Sequence, residues 1–214
     1  MKLTLTIELL TDTTFGRGDG VAGLLDEEVE HDSRTGLPII RGRTVKGLLV
    51  EECANLLYVL PERADLETAA KWLFGSGGSA LGDGAHMRVG SCELPFDLRQ
   101  QVQASDYKLG DILGSLTTIR RQTAMNEETG TPADRSLRGS RVVIRGLTFS
   151  AALDFDYDPN PVHLALLAAC AALVRRAGSG RNRGRGHIKM RIEGSKFDFA
   201  QQINEFERLV KGRV

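Results

Sequence analysis

A glycine- and arginine-rich loop near the end of the chain has the residue types best suited to binding phosphate. Glycine permits positive φ angles and close approach to a ligand, so successive N–H groups can line an anion-binding concavity. Arginine adds a planar fork that matches phosphate oxygens. Residues 178–186 therefore predict a cradle for a phosphate backbone; a solvated turn or a disordered basic tract is the alternative. The residues expected to contact phosphates are Gly180, Arg181, Arg183 and Arg185.

A second group of cations surrounds the start of a predicted helix, for which Thr44 is a plausible N-cap. Apolar residues at helical spacing between Val45 and Leu60 mark its buried face. Cations oppose the helix dipole at this end, and an anionic ligand would remove that conflict. Three solvated side chains are the alternative. The residues expected at such a contact are Arg41, Gly42, Arg43 and Lys46.

Residues 116–145 predict a basic hairpin arm. The centre of the arm, residues 126–132, is a cluster of turn-forming residue types. Residues 142–155 are the most strand-rich stretch of the chain, and Arg145-Gly146 interrupts them as a β-bulge would. The arginines of the arm are Arg120, Arg121, Arg135, Arg138, Arg141 and Arg145.

The 214 residues carry no net formal charge, so the total charge does not indicate a partner. The charges are unevenly distributed, however. Residues 175–189 contain six Lys or Arg and no acid, whereas residues 16–32 contain six acids and one arginine. This polarity predicts a basic groove facing an acidic element; random sampling of surface charge is the alternative.

The three cysteines are widely spaced and include no CxxC pair. They predict a reducing, cytoplasmic setting and no zinc site. The longest apolar run, residues 164–174, is too short to cross a bilayer. The chain opens without a signal-peptide pattern, so we expect no secretion signal and no membrane partner.

The secondary-structure patterns predict an α+β fold. Strand-like stretches at 2–10, 87–94, 142–155 and 187–192 alternate with helices after Thr44 and after the Asn160-Pro161 cap, the latter ending at Gly178. A final helix is expected over 197–209, and no pattern assigns residues 95–115. This order is that of a ferredoxin-like (RRM-like) fold with an antiparallel sheet, whose open face could bind RNA. We predict one domain over residues 1–214, with residues 116–145 inserted as a hairpin.

Four motifs, in this order, resemble the RAMP superfamily of CRISPR proteins. The most similar member is the repeated backbone subunit of type III RNA-guided effector complexes. The resemblance lies in Leu25-Asp26 with the signature at 36–47, in Phe74-Gly75 followed by 87–94, in the thumb-like hairpin at 123–143, and in the loop at 178–186.

The resemblance implies a ferredoxin-like palm that binds the backbone of a CRISPR guide RNA. It also implies a thumb hairpin, with Ala124 and Met125 as the wedge, that displaces one nucleotide of every six. Further copies or related RAMP subunits would stack along the guide, beside other effector-complex subunits. Single-stranded target RNA would be the second nucleic-acid partner. On the arm, the residues expected to bind RNA are Arg120, Arg121, Met125 and Arg138.

The resemblance assigns catalysis to Asp26, which lies eleven residues before Leu37 as the family's aspartate does. The implied reaction is attack of a target 2′-hydroxyl on the adjacent phosphate, with Asp26 holding Mg²⁺ (or Mn²⁺) or its water. From the residues alone, Asp26 could equally cap a turn. Asp32 matches a second family acid that is not assigned the chemistry. Glu27 and Glu28 depart from the family's small or apolar residues and could recruit metal or repel RNA.

Three other functions fit the same residues. The first is a non-catalytic scaffold that binds guide RNA while another copy or subunit cuts. The second is a guide-RNA-processing endoribonuclease, for which His31 could be the general acid-base; an exposed loop histidine is the alternative. The third is a metabolic enzyme that binds a small phosphorylated ligand.

Overall fold

A computed structural model describes residues 1–21, 25–60, 63–76, 84–133 and 136–212. Helices and strands in this part of the chain have the following bounds, in chain order: β1 (Leu3–Leu9), α1 (Gly42–Val59), α2 (Ala64–Phe74), β2 (Met87–Val89), α3 (Phe96–Gln103), α4 (Leu109–Ser115), β3 (Thr117–Gln122), β4 (Arg138–Val143), β5 (Thr148–Phe155), α5 (Pro161–Leu173), β6 (Ile188–Glu193) and α6 (Phe199–Lys211).

The strands form two antiparallel sheets, so the fold is mixed α and β as predicted. The larger sheet has the order β2-β5-β1-β6. Leu5 of β1 is the register partner of Ala151 in β5 and of Ile192 in β6. The second sheet is a two-stranded ribbon of β3 and β4, in register from Thr117↔Val143 to Gln122↔Arg138.

The core lies between the four-stranded sheet and the helices packed on one of its faces. Alternation in β1 buries Leu3, Leu5, Ile7 and Leu9, because successive strand side chains point to opposite faces. Helix α5 is apolar nearly all round and contacts α1, α2, α6 and β6. Its start is as predicted: Asn160 accepts a 2.9 Å hydrogen bond from the His163 backbone N–H, and Pro161 is the first helical residue.

The opposite face of this sheet is polar and exposed. Its outward positions on β1, β5 and β6 hold threonine, serine, alanine and charged residues, and none of these positions holds an aromatic side chain. RNA-recognition modules bind bases by stacking them on sheet aromatics. The sheet face therefore lacks the groups for that mode of RNA binding, and RNA contacts have to be sought elsewhere in the fold.

Several local predictions are wrong. Helix α1 begins at Gly42 with Arg41 as an N-cap that makes no side-chain hydrogen bond, so Thr44 lies inside the helix. Helix α5 ends at Leu173 rather than at Gly178. The Arg145-Gly146 interruption is not a bulge: Gly146 has φ of 85°, and the chain turns there from the ribbon into the larger sheet.

Residues 95–115, which no pattern assigned, contain α3 and α4. The predicted final helix is present as α6. Arg135 of the hairpin arm and Gly77-Gly78 after the second helix lie outside the described residues.

All three cysteines are buried and reduced. Burial, followed by the charge of the adjacent Glu93, raises the pKa of Cys92 to about 12, so its thiol is protonated and unreactive at neutral pH. Within the described ranges, no helix combines the length and the apolar character that spanning a bilayer requires.

Candidate nucleic-acid interface

The glycine-rich loop, the β3–β4 ribbon and the acidic segment 25–29 enclose an open groove of about 660 Å³. The acidic and basic stretches that the sequence separates by some 150 positions thus face each other across one cleft. The side chains and backbone that line it belong to Gly18, Asp19, Asp26, Glu27, Gln122, Arg138, Ser140, Gly178, Ser179, Gly180, Arg181, Asn182, Arg183 and Arg185.

The glycine-rich loop owes its shape to close backbone packing as well as to turns. Gly178 and Gly186 have φ of 78° and 74°, and a Cβ at either position would overlap a backbone carbonyl oxygen, that of Thr14 or Ala177. The Ser179 N–H donates a 2.9 Å hydrogen bond to the Thr14 carbonyl. These contacts pin both ends of the loop to the rest of the fold, which fixes the position of the arginines between them.

Arg185 lies under this loop and at the boundary of two recesses. Its guanidinium packs against the Cα of Gly180, where a Cβ would meet Cζ at 3.1 Å. Its Nε and Nη1 are buried and have no hydrogen-bond partner within the described chain. Unpaired buried donors are costly, so the burial of this guanidinium weakens the fold locally.

Arg181, predicted to bind RNA, is instead engaged by another part of the protein. Its Nη1 and Nη2 donate to the Glu51 carboxylate on α1 at 2.9 and 2.7 Å, and its carbonyl accepts a 2.8 Å hydrogen bond from Arg176. The hydrogen bonds between Arg181 and Glu51 lower the pKa of Glu51 and raise the pKa of Arg181. Arg181 lines the groove, but its fork already holds a carboxylate, so its first role is to anchor the loop to α1.

Asp26 is exposed in the groove and lies against Gly139, near the end of the ribbon that leads into its loop. Its Oδ2 accepts a 2.6 Å hydrogen bond from the Gly139 N–H, and its own N–H donates to the Gly139 carbonyl at 2.8 Å. These two bonds fix the carboxylate to β4. No described residue donates to its other oxygen, Oδ1, which leaves that atom available to a ligand in the groove.

The two glutamates after Asp26 go to different places. The Glu27 carboxylate accepts a short hydrogen bond from the Ser179 hydroxyl of the glycine-rich loop. Glu28 turns away from the groove and forms a buried ion pair with Arg141, with Oε1 2.8 Å from Nε. Glu28 and Arg141 are therefore structural residues, and only Glu27 shares the groove with Asp26.

The ribbon and the glycine-rich loop together supply the exposed cations. Arg138 and Arg183 line both the main groove and a neighbouring recess of about 560 Å³. A third recess of about 310 Å³ is lined by Arg120, Arg121 and Arg185 among others. Arg120 is held there by Asp12, whose Oδ2 lies 2.6 Å from its Nη2. Burial raises the pKa of Asp12, but hydrogen bonds from Arg120 and Arg145 outweigh it and leave a net lowered pKa.

The cations at the start of α1 do not line this groove. Arg41 pairs with Glu30 at 2.5 Å, and Gly42 is buried where a Cβ would overlap the Val89 carbonyl, so Gly42 serves packing. Arg43 is exposed, while burial lowers the pKa of Lys46. The structure therefore leaves Arg43 and Lys46 as a separate cationic surface.

Met125, the predicted wedge, is 57% exposed near the end of the ribbon loop and pairs across it with Pro132. Asn126 Oδ1 accepts hydrogen bonds from the N–H groups of Glu128 and Thr129, which forms the predicted turn. A large apolar side chain presented to solvent at a hairpin tip is free to contact a partner.

Two other candidate groups have local structural roles. His31 Nδ1 lies 3.2 Å from the Val29 carbonyl, and the backbone of His31 bridges to Pro38. Asp32 Oδ1 accepts hydrogen bonds from Arg34 N, Thr35 N and the Thr35 hydroxyl at 2.9–3.0 Å. Burial opposes but does not cancel the effect of these bonds, and the pKa of Asp32 is lowered. Asp32 therefore caps its own turn.

The side chains around the groove offer few ligands for a divalent cation. Among the described residues no three His, Cys, Asp or Glu side chains cluster in a metal-binding arrangement. Mg²⁺ is often held by one or two carboxylates together with waters and substrate phosphates. Asp26 Oδ1 fits that pattern, so the chain suits an ion shared with bound RNA and not a resident metal site.

Sequence reasoning missed several residues that shape the groove. Asp12 holds Arg120 in the third recess, Glu51 holds Arg181, and Ser179 holds Glu27. The two residues of each pair are more than a hundred positions apart in the sequence. Gln122, the last residue of β3, borders all three recesses. No local pattern distinguishes these side chains from solvated polar residues.

One family model matches most of the chain. The family model described as the RAMP superfamily matches residues 6–189. No curated protein matches the chain at a significant level. The apo type III-B Cmr-beta complex contains a chain with a TM-score of 0.65 and 12% identity, covering 91% of this chain and 98% of that one.

Two further solved structures share the fold. A chain of type III-B Cmr-beta bound to cognate target RNA has a TM-score of 0.65 and 12% identity, with 95% and 99% coverage. A chain of a type IV-B CRISPR complex has a TM-score of 0.61 and 12% identity, covering 92% of each chain.

Proposed function

The chain belongs to the RAMP superfamily, and on that premise we propose that it is a guide-RNA-binding backbone subunit of a type III CRISPR effector complex. In this proposal it also cleaves complementary target RNA at six-nucleotide intervals. The observation that carries the proposal is the groove itself, in which the Asp26 carboxylate faces the arginines of the glycine-rich loop and the ribbon.

The fold supports the assignment of a palm and a thumb. The strand order β2-β5-β1-β6 supports a ferredoxin-like (RRM-like) palm, because α1 and α2 join β1 to β2 and α5 joins β5 to β6, and in each case one other strand lies between the two that are joined. The β3–β4 ribbon projects as an insertion between β2 and β5 and would be the thumb, with Met125 as its apolar wedge.

Guide RNA would lie along the groove. The Arg138 and Arg183 guanidiniums are exposed there, and Arg185 lines the same groove. Arg121 and Arg120 in the adjoining recess extend the positive surface along the ribbon. A row of arginines on one cleft supplies affinity for a phosphate backbone without reading its sequence.

The proposed cleavage uses the nucleophile that RNA carries. The 2′-hydroxyl of a displaced target nucleotide attacks its own 3′-phosphate, which leaves a 2′,3′-cyclic phosphate and a 5′-hydroxyl. Asp26 Oδ1, the oxygen without a protein donor, would accept the proton of the 2′-hydroxyl while Gly139 holds the carboxylate in place. The bond from phosphorus to the 5′-oxygen would break, and that oxygen would take a proton from water. Asp26 would be this chain's ligand for Mg²⁺ or Mn²⁺, which would neutralise charge that develops on the phosphate oxygens.

Partners follow from the same proposal. They are a CRISPR guide RNA, single-stranded target RNA, further copies or related RAMP subunits, and other effector-complex subunits. The shared fold with subunits of type III-B and type IV-B complexes supports this assignment.

The decisive experiment reconstitutes the chain with guide RNA and a complementary target and maps the cut positions. We expect metal-dependent cuts at six-nucleotide intervals, loss of cutting with EDTA, and at least a ~100-fold lower rate in Asp26→Ala with guide affinity unchanged. Asp19→Asn is the matched control, because Asp19 lines the same groove but pairs with Arg17. Equal cutting by Asp26→Ala would remove the catalytic assignment.

A non-catalytic scaffold is the second candidate. It is favoured by the lone carboxylate: one oxygen of Asp26 is taken by Gly139, and the described residues offer no cluster of further metal ligands. A chain that binds guide RNA but shows no metal-dependent cutting at any position of the target would establish the scaffold role. The processing role for His31 has less support, since that ring lies against the Val29 carbonyl.

A further inference from the structure

Glu27 links the two walls of the groove. Its backbone lies beside β4, where its carbonyl accepts a 3.0 Å hydrogen bond from the Arg141 N–H. Its side chain reaches the opposite wall and accepts a hydrogen bond from the Ser179 hydroxyl. Asp26, the preceding residue, is bonded to Gly139 of β4. The Asp26-Glu27 dipeptide therefore holds the ribbon through one side chain and the glycine-rich loop through the other.

We propose that Glu27 is a positioning residue that fixes the Asp26 carboxylate relative to the phosphate-binding loop. The proposal rests on the function proposed above and adds to it a residue that orients the cleavage site. Ser179 lies between Gly178 and Gly180, both at positive φ, in the part of the loop that lines the groove. The hydrogen bond from Ser179 therefore fixes Glu27, the residue next to Asp26, relative to the loop.

The surroundings of Glu27 favour positioning over metal or charge chemistry. The carboxylate is packed against Gly16, where a Cβ would come within 2.6 Å of Oε1. Its Oε1 is the atom that accepts from Ser179. Oε1 is thus enclosed between Gly16 and the loop, where its observed contact is the hydrogen bond from Ser179. A small or apolar residue at position 27 would leave the Ser179 hydroxyl without this acceptor.

Four variants separate the contact from the charge. Ser179→Ala removes the donor, and Glu27→Ala removes the acceptor. Glu27→Gln removes the charge but keeps an amide oxygen that can accept from Ser179. The double variant Glu27→Ala/Ser179→Ala completes a cycle, and Asp19→Asn controls for the loss of a groove charge. Thermal unfolding of each purified chain establishes that it folds.

The first readout is single-turnover cleavage of target RNA by the assembled complex. We expect Ser179→Ala and Glu27→Ala each to lower the rate constant ~10-fold to ~100-fold, the cost of a displaced catalytic group, with guide affinity and target KM little changed. The double variant should be no slower than either single variant, since both remove the same bond. Glu27→Gln should stay within ~3-fold of wild type.

The second readout does not require cleavage. Hydrogen–deuterium exchange of the full chain is measured with and without guide RNA. Guide binding should slow amide exchange in residues 25–29 by at least ~3-fold in wild type and Glu27→Gln, but not in Ser179→Ala or Glu27→Ala. Slower exchange in residues 25–29 on guide binding would show that the glycine-rich loop and the acidic segment are coupled through the Glu27–Ser179 hydrogen bond. This measurement can be made even if the wild-type chain does not cleave RNA.

The outcomes are distinct. A wild-type chain that binds guide and never cuts would contradict the cleavage proposal, while the exchange data would still decide the coupling. The positioning role is overturned if Ser179→Ala matches wild type in both readouts. It is also overturned if Glu27→Gln behaves as Glu27→Ala does, since the charge and not the hydrogen bond would then matter.

Discussion

Glu28 and Arg141 form a buried ion pair directly beneath the groove, with 2.8 Å between Oε1 and Nε and with side chains only 6% and 19% exposed. The same Glu28 oxygen accepts a 2.9 Å hydrogen bond from the Val29 N–H, and Arg141 Nη1 donates to the Thr117 hydroxyl at 3.2 Å. The pair thus ties the acidic segment to both strands of the ribbon, two residues from the point where Asp26 contacts Gly139 of β4.

Breaking this pair should destabilise the fold strongly. Glu28→Ala leaves a buried guanidinium without its partner, so we expect the free energy of unfolding to fall by about 3 kcal/mol. The double variant Glu28→Met/Arg141→Met removes both charges and should lie within about 1 kcal/mol of wild type. Urea denaturation of the free chain measures both. A loss below about 1 kcal/mol in Glu28→Ala would show that water reaches the pair.

Two loop glycines with the same backbone conformation should differ in their tolerance of alanine. Gly178 and Gly184 both have φ of 78°. A Cβ at Gly178 would overlap the Thr14 carbonyl, whereas a Cβ at Gly184 meets nothing within 4 Å. Gly184→Ala should cost about 1 kcal/mol for the left-handed conformation alone, and Gly178→Ala more than about 3 kcal/mol. Equal losses by thermal denaturation would contradict the close packing at Thr14.

The salt dependence of guide-RNA binding should show whether the RNA binds in the groove or on the open face of the sheet. Arg183 is exposed in the groove and Arg191 is exposed on the sheet face. Arg183→Gln should weaken RNA binding and reduce the slope of log K against log salt by about 1, because one phosphate contact is lost. Arg191→Gln should leave the slope unchanged. The reverse result, measured by filter binding between low and moderate salt, would place RNA on the sheet.

Stability should fall at mildly acid pH through His163. Burial and then the nearby His86 lower the pKa of His163 below its usual 6.5. As the pH drops through 6.5, the unfolded chain takes up a proton that the folded chain resists, so the free energy of unfolding decreases between pH 6.5 and the lowered pKa. Protonation would also block Nδ1 from accepting the Asn160 N–H.

The control for this prediction is a pair of glutamine substitutions. His163→Gln should flatten the dependence of Tm on pH between about 5 and 7, since glutamine can complete the same capping box without titrating. His187→Gln, at an exposed loop position, should retain the wild-type profile. An unchanged profile in His163→Gln would assign the dependence to other groups.

Local structure is where the sequence was most informative. The cap at Asn160-Pro161, the alternation in β1 and the turn over 126–132 depend on neighbouring residues, and each is present where it was predicted. The start of α1 was misplaced because Arg41 forms no side-chain cap and Gly42 is held by packing on Val89. Helices α3 and α4 bury few residues, so no apolar face revealed them.

By itself, the sequence determined that the chain has a loop rich in glycine and arginine, a basic arm and an acidic segment. Only the tertiary structure decided which charges are free. Arg181 is taken by Glu51, Arg141 by Glu28 and Arg120 by Asp12, whereas Arg138 and Arg183 stay open to a ligand. The physical reason is the sequence separation of the interacting residues. Caps and turns depend on residues a few positions apart, whereas these ion pairs join residues more than a hundred positions apart. Only the packed chain brings such residues within 3 Å of each other.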